Sequence, residues 1–78
     1  MSTDVTRIRE LIVEKFDVQQ SQITNEANFV KDLGVDSLDM VELLMEVERE
    51  FSISITDEDM EKITTVGELT TYVLEKKK

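Results

Sequence analysis

The stretch "DLGVDSLDMVELLMEVEREF", residues 32–51, carries the decision about the fold. Placed on a helical wheel at about 100° per residue, Met40, Leu43, Leu44, Val47 and Phe51 share an arc of roughly 100°, the width of a stripe that faces a core. A helix over 37–51 follows, with Asp36 as N-cap and Asp39 in the first turn, where the dipole favours negative charge. Gly34 permits a left-handed turn just before it. Leu38, Val41 and Met45 stay off the arc and form a second row at i, i+3 and i+7, centred roughly 130° away. Asp39, Glu42, Glu46 and Glu48 flank that row. Either the row packs beneath a loop or a short helix, or it is an exposed apolar strip rimmed by acids, the anatomy of a protein-docking surface. Met45 suits the second, because methionine adapts to several partners.

Outward from this helix the chain remains helical. Val5, Ile8, Leu11, Ile12 and Phe16 predict a first helix over about 4–16, capped by Ser2 or Thr3. Residues 17–36 are polar and poorly periodic, a long connection of the kind that is often functional. Val18, Ile23, Phe29, Val30 and Leu33 are expected to pin it down. After Phe51, "SISI" alternates like a strand but is too short and isolated for a sheet. It is expected to be a loop that buries Ile53 and Ile55. Thr56 followed by three acids marks a short helix with Met60 and Ile63 on one face. Thr65 and Glu68 stand at capping-box spacing before a last helix that turns Val66, Leu69, Tyr72 and Val73 inward. Gly67 weakens that helix slightly. The expected fold is all-α, a small bundle of three main helices plus one short helix, with a long first loop and a single domain over 1–78.

Composition narrows the function. With 78 residues the chain buries only about 60% of its unfolded surface, so the core is thin. The longest apolar run is three residues, too short to span a membrane. The N-terminal residues lack a signal-peptide pattern, which points to the cytoplasm, or to an organelle matrix for a processed form. There is no cysteine and no histidine, so disulfides, thiolate metal sites and the usual general base are excluded. Eighteen acids oppose nine bases, a net charge of −9. That balance repels nucleic acid and anionic membranes and suits proteins with basic patches. Acidity that merely keeps a small protein soluble is the plainer alternative. The carboxylates of "DLGVDSLD" and "TDEDME" lack the spacing of a calcium loop, so no metal site is expected.

Ser37 stands among these acids at the mouth of the helix. As a nucleophile it lacks an activating histidine, and "GVDSL" is not the G-x-S-x-G elbow. As a helix cap it competes with Asp36, which already fills that position. As a modification site it is well placed, because N–H groups and the dipole at a helix N-terminus favour a phosphate group. Another enzyme would then supply the activation.

These residues resemble the acyl carrier proteins. "DLGVDSLDMVELLMEVEREF" is similar to that family's signature, with "ANFVKDLG" before it and "ITDEDMEKITTVGEL" after it. The resemblance implies that Ser37 bears a covalent 4′-phosphopantetheine arm, whose thiol holds growing fatty acyl chains as thioesters for fatty acid synthesis. It also implies that Asp36, Leu38, Asp39, Val41, Glu42, Met45 and Glu48 meet partner enzymes. Those partners are a phosphopantetheinyl transferase and fatty acid synthase enzymes with basic docking patches, and the chain itself is a monomeric carrier rather than an enzyme. An attached acyl chain is expected to fold back beside Leu43, Leu44, Val47, Ile63 or Leu69. Two positions depart from the family's pattern. Thr56 stands where a proline is frequent, and Arg49 interrupts an acidic run before Phe51. A peptidyl or polyketide-type carrier, or an acidic interaction domain with an unmodified Ser37, are the competing readings; "LGVDSL" favours the acyl type.

Overall fold

The structure, a computed structural model, describes residues 3–77. The helices are α1 (Thr3–Phe16), α2 (Ser37–Phe51), α3 (Asp57–Lys62) and α4 (Val66–Lys76), and a 3-10 turn at Gln20–Gln22 interrupts the first connection. This is the expected all-α architecture. α1 packs against both α2 and α4 through Ile8, Leu11 and Ile12, all buried. Phe16, at its end, is only half-buried. Thr3 is the first helical residue rather than the cap, and Ser2 lies outside the described residues. α1 stops where Asp17 turns to φ 54°, its N–H still bonded to Val13 O at 2.9 Å. Asp tolerates that left-handed geometry better than most side chains.

α2 begins as its cap requires. Asp36 is extended, and its Oδ1 accepts the Leu38 N–H at 3.2 Å. Met40, Leu43, Leu44 and Val47 are buried and Phe51 is half-buried, so the wheel's first stripe is the core face. The helix ends at Ser52, which is left-handed at φ 55°. In the "SISI" stretch Ile55 is buried, while Ile53 is half-buried rather than fully inside.

α3 is too short to hold itself. Thr56 caps it through Oγ1, which accepts the Asp59 N–H at 3.1 Å, and three acids occupy its first turn. Its anchor comes from α4, where the Tyr72 hydroxyl donates to Asp59 Oδ2 at 2.7 Å. That bond holds the Asp59 carboxyl below the usual range. Burial first, and then the same bond, push the Tyr72 phenol up to about 12. The capping box that starts α4 is reciprocal, with Thr65 Oγ1 accepting the Glu68 N–H at 3.2 Å. Glu68 Oε1 accepts the N–H groups of Thr64 and Thr65 and the Thr64 hydroxyl. The Thr64 backbone N–H is the main reason the Glu68 carboxyl lies below its ordinary value.

The long connection is tied at three levels. Arg9, on α1, donates to Ile23 O and to Asn25 Oδ1. Asn28 Oδ1 accepts from the N–H groups of Val30 and Lys31, and Asp32 Oδ2 accepts the Asn28 N–H at 2.7 Å, a small side-chain-built turn. The third tie is backbone to backbone with the start of α4. The Phe29 N–H meets Thr64 O at 3.0 Å, the Val66 N–H meets Ala27 O at 3.1 Å, and the Gly67 N–H meets Asn25 O at 2.9 Å. Extended backbone alternates its side chains. Ala27 and Phe29 therefore point in; Val30, held in the turn built on Asn28, is 59% exposed, against its expected role as an anchor. Ile23 and Val35 are buried, with Val18 and Leu33 half-buried.

Candidate functional site

Ser37 is exposed as the first residue of α2. Three features fix the turn that presents it. Gly34 is left-handed at φ 69°. Val35 is buried, and its N–H bonds to Phe29 O at 2.8 Å. Asp36 then caps the helix, its carbonyl accepting the Met40 N–H at 2.9 Å and its side chain the Leu38 N–H. None of these bonds uses the Ser37 hydroxyl. The exposed serine is the first residue of α2, between buried Val35 and Met40 in the sequence. An exposed hydroxyl at a helix N-terminus accommodates a phosphodiester without rearranging the fold.

The second row of α2 is on the surface. Leu38 is 67% exposed, Val41 42% and Met45 46%, and with Val30 they are the exposed large apolar side chains of the described residues. The reading in which this row packs under a loop is therefore excluded. The acids around it are not equivalent. Asp36 is exposed and Asp39 half-buried, and neither takes part in an ion pair among the described residues. On one flank, Glu42 and Glu46 both reach Lys15 of α1, with Nζ 3.3 Å from Glu42 Oε1 and 3.0 Å from Glu46 Oε2. On the other flank, Glu48 is half-buried and its Oε2 accepts the Ile55 N–H at 2.7 Å. Glu48 thus tethers the segment after α2, a task its place in the sequence did not reveal.

Of the seven residues expected to meet partners, six lie on α2 and Asp36 caps it, and three of the acids, Asp36, Glu42 and Glu48, already have partners inside the molecule. The pairing with Lys15 joins residues far apart in sequence. No local spacing announces it; Lys15 stands in the last turn of α1, where the helix dipole already favours a cation. A groove of about 330 Å³ opens one turn along from Ser37, lined by Phe29, Val30, Met40, Met60 and Ile63 among others. It explains why Val30 is exposed, since its side chain forms part of the rim. No group of three or more acids converges as a metal cage among the described residues.

A family model described as the phosphopantetheine attachment site matches residues 6–73. Among solved structures, an acyl carrier protein from Enterococcus faecalis superimposes with a TM-score of 0.83 and 35% sequence identity, covering 95% of this chain and 94% of that chain.

Proposed function

The chain belongs to the acyl carrier proteins, within the phosphopantetheine-attachment family, and from that premise we propose that the Ser37 hydroxyl is where its covalent 4′-phosphopantetheine is attached. The observation that carries the proposal is an exposed serine oxygen on a capped helix start, left out of every bond that builds the turn. Bound there, the arm supplies a terminal thiol on which fatty acyl chains are held as thioesters. The protein's own residues do the positioning. Asp36 and the first-turn amides hold the serine clear of the bundle. The chain has no histidine or cysteine to activate its own hydroxyl, so Ser37 acts as a substrate, and the base comes from a transferase. The chain acts as a carrier rather than an enzyme, over one domain of 1–78, as a monomer in the cytoplasm or an organelle matrix.

The row of Leu38, Val41 and Met45 is the apolar centre of the docking face for the transferase and for fatty acid synthase enzymes. Asp36, Asp39, Glu42 and Glu48 make its charged rim. The groove between Phe29, Met40, Met60 and Ile63 is the entry by which a thioester-bound acyl chain passes inward toward Leu43, Leu44, Val47 and Leu69. A phosphopantetheinyl transferase with coenzyme A should add one arm to the wild type, read as intact mass. Ser37→Ala should stay unmodified while keeping its helical circular dichroism. Modification of Ser37→Ala at Ser21, Ser52 or Ser54 would overturn the assignment.

A further inference from the structure

The docking face has an internal counter-ion. Lys15 projects from the end of α1 and places its ammonium within 3.3 Å of Glu42 and 3.0 Å of Glu46. Its side chain is 21% exposed, so it lies against the face rather than in solvent. Lys15, Glu42, Met45, Glu46 and Arg49 together line a shallow groove of about 190 Å³. Lys15 pairs with the groove's two acids, and Met45 and Arg49 line it beside them. At the other end of the same face, next to Ser37, Asp36 and Asp39 pair with no cation among the described residues. The acidity of α2 is therefore polarised, bare at the Ser37 end and compensated at the Met45 end.

Resting on the docking reading above, we propose that Lys15 sets the partner selectivity of this face by occupying Glu42 and Glu46 in advance. A partner then has to bring its basic side chains to the Ser37 end and meet the Met45 end with apolar or uncharged surface. A partner with a cation opposite Glu42 must displace or crowd the Lys15 ammonium, and like charges at that range oppose it. Met45 gives such a partner apolar contact even where charge gives it none. The interrupted acidic run acts in the same sense, since Arg49 lines the groove on the same side. Lys15 thus acts through Glu42 and Glu46 and need not touch the partner.

The test is the association rate of the full chain, with Ser37 unmodified, to a phosphopantetheinyl transferase, followed by stopped-flow across a salt series. Lys15→Gln should speed association by about two- to fivefold at low salt, the scale of an exposed charge pair, and the gain should fade as salt rises. Lys15→Arg should restore the wild-type rate, because a guanidinium can hold both carboxylates. In a Glu42→Gln, Glu46→Gln background, Lys15→Gln should give no gain. Thermal melts of each variant separate this from a change in fold, and a gain that persists in that double background would mean that Lys15 acts only through net charge. If Lys15→Gln matches the wild type while Glu42→Gln associates more slowly, the counter-ion role is overturned and the docking reading stands. If Asp36→Asn, Asp39→Asn and Glu42→Gln all associate at the wild-type rate, the docking reading itself falls, and this inference with it.

Discussion

Gly67 shows how far a single residue's meaning depends on its neighbours. By propensity alone, glycine in the first turn of α4 is a weakness, and alanine there should gain up to about 1 kcal/mol. In the structure a Cβ at this position would stand 2.9 Å from Asn25 O and 3.3 Å from Asn25 Cβ. The obstacle is backbone, and that backbone is bonded to the Gly67 N–H itself. Steric displacement should therefore outweigh propensity. Gly67→Ala is expected to destabilise the protein by about 1–3 kcal/mol, the range for overpacking a tight site; chemical denaturation measures it, and a more stable variant would show that the loop yields freely. Gly34 is glycine for a different reason. A Cβ there meets nothing within 4 Å, so the requirement is its φ of 69° alone.

At the scale of the element, α2 has two apolar faces with opposite tasks. Leu43 is fully buried and Val41 is 42% exposed. Leu43→Ala should cost about 2–5 kcal/mol, as core truncations do. Val41→Ala should change stability by no more than about 0.5 kcal/mol, as for most surface substitutions. The same Val41→Ala should speed dissociation from a carrier-dependent enzyme, whereas Glu42→Lys should slow association. Urea unfolding paired with binding kinetics checks both. A Val41 variant as unstable as the Leu43 variant would return the row to the core. These two faces were legible in the sequence, because helical periodicity is a property of one segment and is visible without its neighbours. The capping box at Thr65 and Glu68 was legible for the same reason. Glu48 was not, since its bond to the Ile55 N–H depends on how the chain reverses after Ser52. The Lys15 pair was hidden for a similar reason: it needs the packing of α1 on α2, which spacing does not encode. Val30 misled because an apolar residue in a loop has no periodicity to say which way it points, and it lies in the turn built on Asn28, just past the backbone pairing of 25–29 with 64–67.

At the scale of the whole molecule, one hydrogen bond shapes stability at both ends of the pH range. Asp59 and Glu68 have folded values below their ordinary ones. A depressed carboxyl contributes stability above its unfolded value, about 4, and loses it as pH falls through the lower folded value. Tyr72 is raised, to about 12. Its contribution is complete below its unfolded value of about 10 and is lost as pH climbs toward the folded value. Stability should therefore be level between these windows with respect to these groups and decline outside both. Tyr72→Phe removes the hydroxyl that lowers Asp59 and titrates itself. In melts from pH 2 to 11 it should shed the alkaline decline and soften the acid one, leaving the share due to Glu68. An alkaline decline unchanged in Tyr72→Phe would assign it to the lysines.

The three backbone bonds that join the long connection to the start of α4 have a further consequence, in time rather than in energy. The amide hydrogens of Phe29, Val66 and Gly67 are each held by a carbonyl across that seam. Each is shielded from water for as long as the seam stays shut. Exchange with deuterated solvent at these three positions is therefore a clock for its opening. The groove proposed above as the acyl entry is lined by Phe29 on one side of the seam and Thr64 on the other, so on that reading the same clock times its opening. If the seam parts as a unit, the three amides should share one protection factor. A cargo lodged beneath should slow all three together, while the exposed amides of α2's first turn keep their pace.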